Sequence, residues 1–206
     1  MSRKTTLTLI MGASLFLGGT TIAVVASDGA TLAKEKCESC HGSDGNSKYD
    51  EVPNIAGLSE YYLTETMKAY AKEKDGRPSE NFKVEGQDET NMKAVVKELS
   101  EEQIVALAKH FSEQDFDARK QDFDAALAKA GEKVYKKRCK KCHTDKGREA
   151  DDDAGILAGQ SMTYLKVELG YFKDGSRWMD DKMAVQLKKL KEGDLEKLLH
   201  YFAKQQ

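Results

Sequence analysis

The four cysteines of the chain fall in two copies of one frame, Cys37-Glu38-Ser39-Cys40-His41 and Cys139-Lys140-Lys141-Cys142-His143, with none left over. Two cysteines one helical turn apart can each add to a vinyl group at one porphyrin edge as thioethers. A histidine immediately after them can reach the iron from the same side. In an exported protein this is the attachment signature of c-type haem. Other chemistries fit less well. Two Cys-x-x-Cys pairs that share a zinc usually lie about 15–20 residues apart, and here most of a domain separates them. A thioredoxin-type redox pair needs a βαβ setting. Structural disulfides suit an oxidising compartment but leave the paired histidines unexplained. The frames therefore predict two covalently bound haem c groups, held by Cys37, Cys40, Cys139 and Cys142, with His41 and His143 as iron ligands.

An internal repeat positions these frames. At an offset of 102, Gly29 aligns with Gly131, Cys37–His41 with Cys139–His143, Ile55-Ala56-Gly57 with Leu157-Ala158-Gly159, and Tyr62-Leu63 with Tyr164-Leu165. The offset slips to 99 at Lys74-Asp75-Gly76 and Lys173-Asp174-Gly175. It reaches 91 where Met92 meets Met183, Leu99 meets Leu190 and Phe111 meets Phe202. The first half thus carries eleven extra residues between about Lys72 and Asn91, rich in charge and a candidate partner surface. Two copies of one structural unit are implied, not a solenoid.

Each copy reads as helical. A helix leads into the Cys frame over 29–39 and 131–141, and a glycine-bearing loop follows. A middle helix covers about 59–73 and 161–173, with Tyr62, Leu63, Thr66 and Tyr70 at helical spacing. A closing helix follows Ser100, with Glu102 and Gln103 suited to its first turn and Ile104, Leu107, Ala108 and Phe111 as its apolar stripe. Period-2 strands are absent from the pattern, so the expected fold is all-α. The expected division is a signal peptide at 1–26, a first domain at 27–112, a polar linker at 113–127 and a second domain at 128–206. Units this short bury little apolar surface of their own, and a covalently held haem supplies much of the missing core.

The second axial ligand must come from elsewhere in each unit, usually a Met thioether or a His. A single Met is by default a flexible core filler. Met92 and Met183, however, occupy equivalent places in the repeat, in loops ahead of the closing helices, which nominates them as ligands. Met179 competes with Met183 in the same loop. Met67 and Met162, on or beside the middle helices, read as core. His110 and His200 are not equivalent to each other and read as structural or surface residues. Tyr62 and Tyr164 read as core or haem-wall packing, and Arg77 and Arg177 as propionate partners or surface residues.

Arg3 and Lys4, the apolar run from about Leu7 to Val25, and the small Ala26 make the pattern of a secretory signal peptide. The alternative, a permanent anchor, is weakened by Gly12, Gly18 and Gly19 within the run. The whole chain has 33 Lys+Arg against 35 Asp+Glu, a formal charge of −2. Losing 1–26 removes two basic residues and no acidic one, which makes it −4. A mildly acidic chain without a basic stripe is a poor nucleic-acid binder.

Together, the two frames, the Pro53-x-Ile55-x-Gly57 segment, the Met-bearing loops and the closing helices resemble two-haem class I cytochromes of the c4 type, over nearly all of the chain after residue 26. The cytochrome subunit of flavocytochrome c sulfide dehydrogenase is similar in layout. Tyr61-Tyr62-Leu63 and Gly76-Arg77-Pro78 are points of likeness to it. The resemblance implies two tandem class I cytochrome c domains related by a pseudo-twofold axis, with axial pairs His41/Met92 and His143/Met183. It also implies an electron carrier working in the periplasm, not itself an enzyme, with the alternative of a haem-bearing electron-transfer subunit of a flavocytochrome c sulfide dehydrogenase or similar sulfur-oxidising enzyme. Its expected redox partners are a respiratory complex, an oxidase or a flavoprotein subunit, and peripheral membrane association stays open. In this family the loop proline offers its carbonyl to the proximal His. Pro53 fits, but the second copy has Gly155 in its place, so His143 is expected to be less firmly oriented and the two haems to differ in potential.

Overall fold

The computed structural model describes residues 28–149 and 154–206. The expected signal peptide and Asp151–Asp153 lie outside the described residues. Those described form nine α-helices and a 3₁₀ turn at Asp145–Gly147. In chain order the helices are α1 (Gly29–Lys36), α2 (Glu38–His41), α3 (Glu60–Ala71), α4 (Met92–Lys97), α5 (Glu101–Ser112), α6 (Ala125–Arg138), α7 (Met162–Asp174), α8 (Asp181–Leu187) and α9 (Asp194–Ala203). Among the described residues there is no strand, only an isolated antiparallel bridge between Phe82 and Thr90. No described helix is long and apolar enough to cross a membrane.

Helix starts follow side-chain caps, which satisfy otherwise orphaned N–H groups of a first turn. Asp28 caps α1, Ser59 caps α3, Asn91 caps α4, Asp124 caps α6, Ser161 caps α7 and Asp180 caps α8. Ser100 and Gln103 form a reciprocal capping box on α5. Met92 and Met183, expected in loops, instead lie on the short helices α4 and α8, because Asn91 and Asp180 nucleate a turn just ahead of them. In the second unit Ala125 opens α6, so the last three residues of the expected linker are helical.

In each unit the helix ahead of the Cys frame crosses the closing helix at very close range. A Cβ on Gly29 would lie 2.2 Å from the Ala106 carbonyl oxygen, and one on Gly131 2.0 Å from that of Lys197. Neither contact leaves room for any side chain, which is why the repeat keeps glycine at both places. Leu32, Leu63, Leu107, Ala108 and Phe111 fill the first core, and Ile156 reaches into it from the second half. Tyr135, Leu165, Leu198, Leu199, Tyr201 and Phe202 fill the second. Beside the first core, Tyr70, Val96 and Ile104 form a smaller cluster against which Met92 packs.

The eleven extra residues are ordered by their own hydrogen bonds. Phe82 and Thr90 exchange N–H···O bonds of 2.7 and 2.9 Å, and Asn91 Nδ2 donates to Asn81 Oδ1 at 2.8 Å. The Phe82 ring meets Tyr49 edge-on at 5.0 Å.

The segment between α5 and α6 is a strap rather than a free linker. The Asp115 and Asp117 carbonyls accept from Asn46 Nδ2 (2.9 Å) and Asn54 Nδ2 (2.6 Å) of the first unit. Arg119 N–H donates to the Gly159 carbonyl of the second at 2.8 Å, while its side chain pairs with Asp50 and the Tyr49 carbonyl. Gln121 Nε2 donates to the Gln160 carbonyl at 2.8 Å.

Candidate haem sites and the family

Both Cys frames adopt the same turn. The N–H groups of Cys40 and His41 donate to the Cys37 carbonyl at 3.2 and 2.9 Å, and those of Cys142 and His143 to the Cys139 carbonyl at 3.1 and 3.0 Å. None of the four cysteines is in a disulfide. Burial, with a smaller contribution from Cys40, pushes the Cys37 thiol up to about 12. Burial pushes Cys139 to about 11, with Arg138 opposing. Both side chains pack half-buried against the core of their unit. Among the described residues no group of three or more His, Cys, Asp and Glu side chains is placed to hold a metal ion.

The loop after each frame also repeats. Ile55 and Ala56 N–H groups donate to Gly45, and Leu157 and Ala158 to Gly147. Gly57 N–H reaches the Phe111 carbonyl at 2.9 Å, and Gly159 that of Phe202 at 3.0 Å.

The two histidines differ. His41 is buried, and its Nδ1–H donates to the Pro53 carbonyl at 3.0 Å, which leaves Nε2 as the free ring nitrogen. Burial lowers its pKa, with the Pro53 bond opposing, so the ring is neutral and able to ligate a metal. His143 is neutral for the same reason, lowered by burial. Its buried Nδ1, however, has no hydrogen-bond partner among the described residues. In the second unit a Cβ on Gly155 would stand 2.8 Å from the Tyr62 ring and hydroxyl. Tyr62 of the first unit occupies the space a proline ring would need.

Met92 and Met183 are half-buried, Met92 at the start of α4 with its N–H donating to Ser79 Oγ at 2.8 Å, Met183 at the third position of α8. Met179 is also half-buried and lies before that helix. Met67 and Met162 pack against the cores. His110 stacks edge-on with Phe111 at 5.0 Å. His200 accepts the Asp124 N–H through Nδ1 at 3.0 Å while Nε2 faces Glu196 at 3.4 Å. Both histidines are engaged within the closing helices.

Between the units lies a buried polar cluster that sequence reasoning met only in part. Arg77 and Arg177 were visible there as equivalent cations, and Tyr62 and Tyr164 as equivalent aromatics. Glu168 went unnoticed. Its signal was a carboxylate at helical spacing among Tyr164, Leu165 and Leu169. Arg77 Nη2 donates to the Tyr164 hydroxyl at 3.0 Å. Arg177 stands beside the Tyr62 hydroxyl, whose pKa burial pushes up but Arg77 and Arg177 pull down, the net direction being downward. Each unit's arginine thus meets the other unit's equivalent tyrosine, the reciprocity that a twofold relation produces.

Paired cysteines in two equivalent turns, two neutral histidines, one buried and one half-buried, and a buried Arg77 Nε without a partner among the described residues are the features covalently bound haems would complete. The Cytochrome c family model matches residues 26–114 and 128–206. A cytochrome c4 of Stutzerimonas stutzeri is 32% identical over 203 residues, covering 91% of this chain and 93% of that protein. The crystal structure of reduced cytochrome c4 from Pseudomonas stutzeri superposes with a TM-score of 0.69 at 28% identity, covering 85% of this chain and 95% of that one. The thiosulfate dehydrogenase electron acceptor of Thiomonas intermedia is 27% identical over 151 residues, 68% of this chain and 64% of that protein. The chain belongs to the cytochrome c family, as a c4-type dihaem electron carrier with two covalently bound haem c groups.

Proposed function

We propose that the protein shuttles electrons in the periplasm through two His/Met-ligated haems. Cys37, Cys40, His41 and Met92 hold the first, and Cys139, Cys142, His143 and Met183 the second. The observation that carries this reading is the doubled Cys frame with one backbone turn, followed in each unit by a methionine at an equivalent place. Haem c supplies a reversible one-electron iron couple. The chain's own work is to fix each imidazole as a neutral ligand, exclude water with the apolar cores, and offer a thioether that favours the reduced state. With both axial positions filled by protein, no position is left for a substrate. The leading segment at 1–26 supports a periplasmic location. The test is the near-infrared spectrum of the ferric holoprotein: Met–iron charge-transfer absorbance accounting for two irons is expected, and absorbance for one or none overturns the ligand set.

The likeness to a thiosulfate dehydrogenase electron acceptor favours a second reading of the partner, in which electrons arrive from a sulfur-oxidising enzyme. The likeness to the flavocytochrome c subunit belongs to the same reading. The two thioether edges differ in charge, Glu38-Ser39 against Lys140-Lys141, which suits docking to two partners of opposite sign. Rapid haem reduction by a purified thiosulfate dehydrogenase, but not by quinol-oxidising membranes, would select this partner.

A further inference from the structure

Three charged side chains meet in the seam between the units. Glu168, on the buried face of α7, is 7% exposed and Arg77 8%. Glu168 Oε1 lies 3.0 Å from Arg77 Nη2, and its other oxygen, Oε2, is held by Arg177 Nη1. Arg77 belongs to the first unit, Arg177 to the second, so one carboxylate grips a cation from each. Aromatic rings complete the two cradles: the Arg77 guanidinium lies 4.6 Å from the Tyr70 ring centroid, and that of Arg177 4.2 Å from Phe172.

The charges do not balance. Two guanidiniums face one carboxylate, and Arg77 Nε keeps a buried N–H with no partner among the described residues. An uncompensated buried charge costs several kcal/mol, and an orphaned donor adds its desolvation. The seam therefore calls for another anion, and the groups this protein binds carry them: each haem has two propionates. Arginine, with its planar fork of donors, is the side chain suited to a carboxylate.

We propose that Glu168 is the positioning residue of a shared propionate site. It holds Arg77 and Arg177 as one cationic pair across the seam, so that a single protein carboxylate sets the reduction equilibria of both haems. Adding an electron to either iron is favoured by positive charge nearby and opposed by negative charge. Glu168 moderates that positive charge for both units at once. The inference rests on the two-haem assignment, which a haem count on the same samples checks separately.

The test is a potentiometric titration of the holoprotein carrying Glu168→Gln, which keeps the shape and removes the charge. Both midpoints are expected to rise, each reduction equilibrium moving about tenfold toward the ferrous form, or 59 mV for a one-electron couple. Glu168→Asp keeps the charge and is expected to hold both midpoints near wild type. Should Glu168→Gln not fold, Arg177→Gln gives the complementary reading, with both midpoints falling. A purely structural carboxylate would lower the melting temperature of E168Q while leaving both midpoints in place. That outcome, or movement of only one midpoint, overturns the proposal.

Discussion

Asn54 and Gln160 exchange two hydrogen bonds across the two units. The Asn54 N–H donates to Gln160 Oε1 at 3.0 Å, and Gln160 Nε2 donates back to the Asn54 carbonyl at 2.6 Å. Both residues are 2% exposed, so water does not replace a lost partner. Truncating Gln160 to Ala orphans a buried donor and a buried acceptor, each at a cost of about 1–3 kcal/mol. Denaturant unfolding of the holoprotein should show a loss of at least that size. A change below about 0.5 kcal/mol would mean that the bonds are remade elsewhere.

Gly155 and Tyr62 make a second test of the seam. The space for a side chain at 155 is taken by the Tyr62 ring. Gly155→Ala should therefore destabilise the protein by about 1–3 kcal/mol, as overpacking does. The penalty should largely vanish when Tyr62→Ala is made in the same chain. A double-mutant cycle with no coupling would separate the two residues.

The axial methionines can be told apart by absorbance. Met92→Ala and Met183→Ala should each remove about half of the Met–iron charge-transfer intensity and lower the potential of one haem. Met179→Ala should leave the band intact. If Met179→Ala and Met183→Ala exchange these outcomes, the ligand of the second iron is Met179.

The unlike surroundings of the two histidines predict unequal midpoints. A hydrogen bond from the ring N–H to a carbonyl raises the basicity of a ligating imidazole, which favours ferric iron. Among the described residues His41 has that bond and His143 has none. The second haem should therefore have the higher potential in a domain-resolved titration. Equal midpoints, or the reverse order, would contradict this.

Much of this architecture was legible in the amino-acid sequence. The Cys frames, the repeat and the capping residues Ser100 and Gln103 each have a local cause that spacing reveals. Three features were not legible, for definite reasons. The helices under Met92 and Met183 are 6 and 7 residues long, too short for periodicity to register. The hairpin around Phe82 and Thr90 is pinned by Asn81, Glu89 and Asn91 side chains in a polar stretch that reads as loop. The strap from Asp115 to Gln121 is held by contacts with residues far away in the chain, such as Asn46 and Gln160. Glu168 looked like an ordinary helical carboxylate because its partners, Arg77 and Arg177, come from two different loops.

The strap and the Asn54–Gln160 exchange also set an order of events during export. The first unit's haem loop waits for partners that cross the membrane later: Asp115 and Asp117 for Asn46 and Asn54, then Gln160, 106 positions after Asn54. Even its core is closed by Ile156. The leading half of the polypeptide is thus unfinished until the trailing half has emerged. A truncated product ending after Ser112 should be open to proteases, and haem attachment should proceed on both halves of one exported molecule rather than on one completed half after the other.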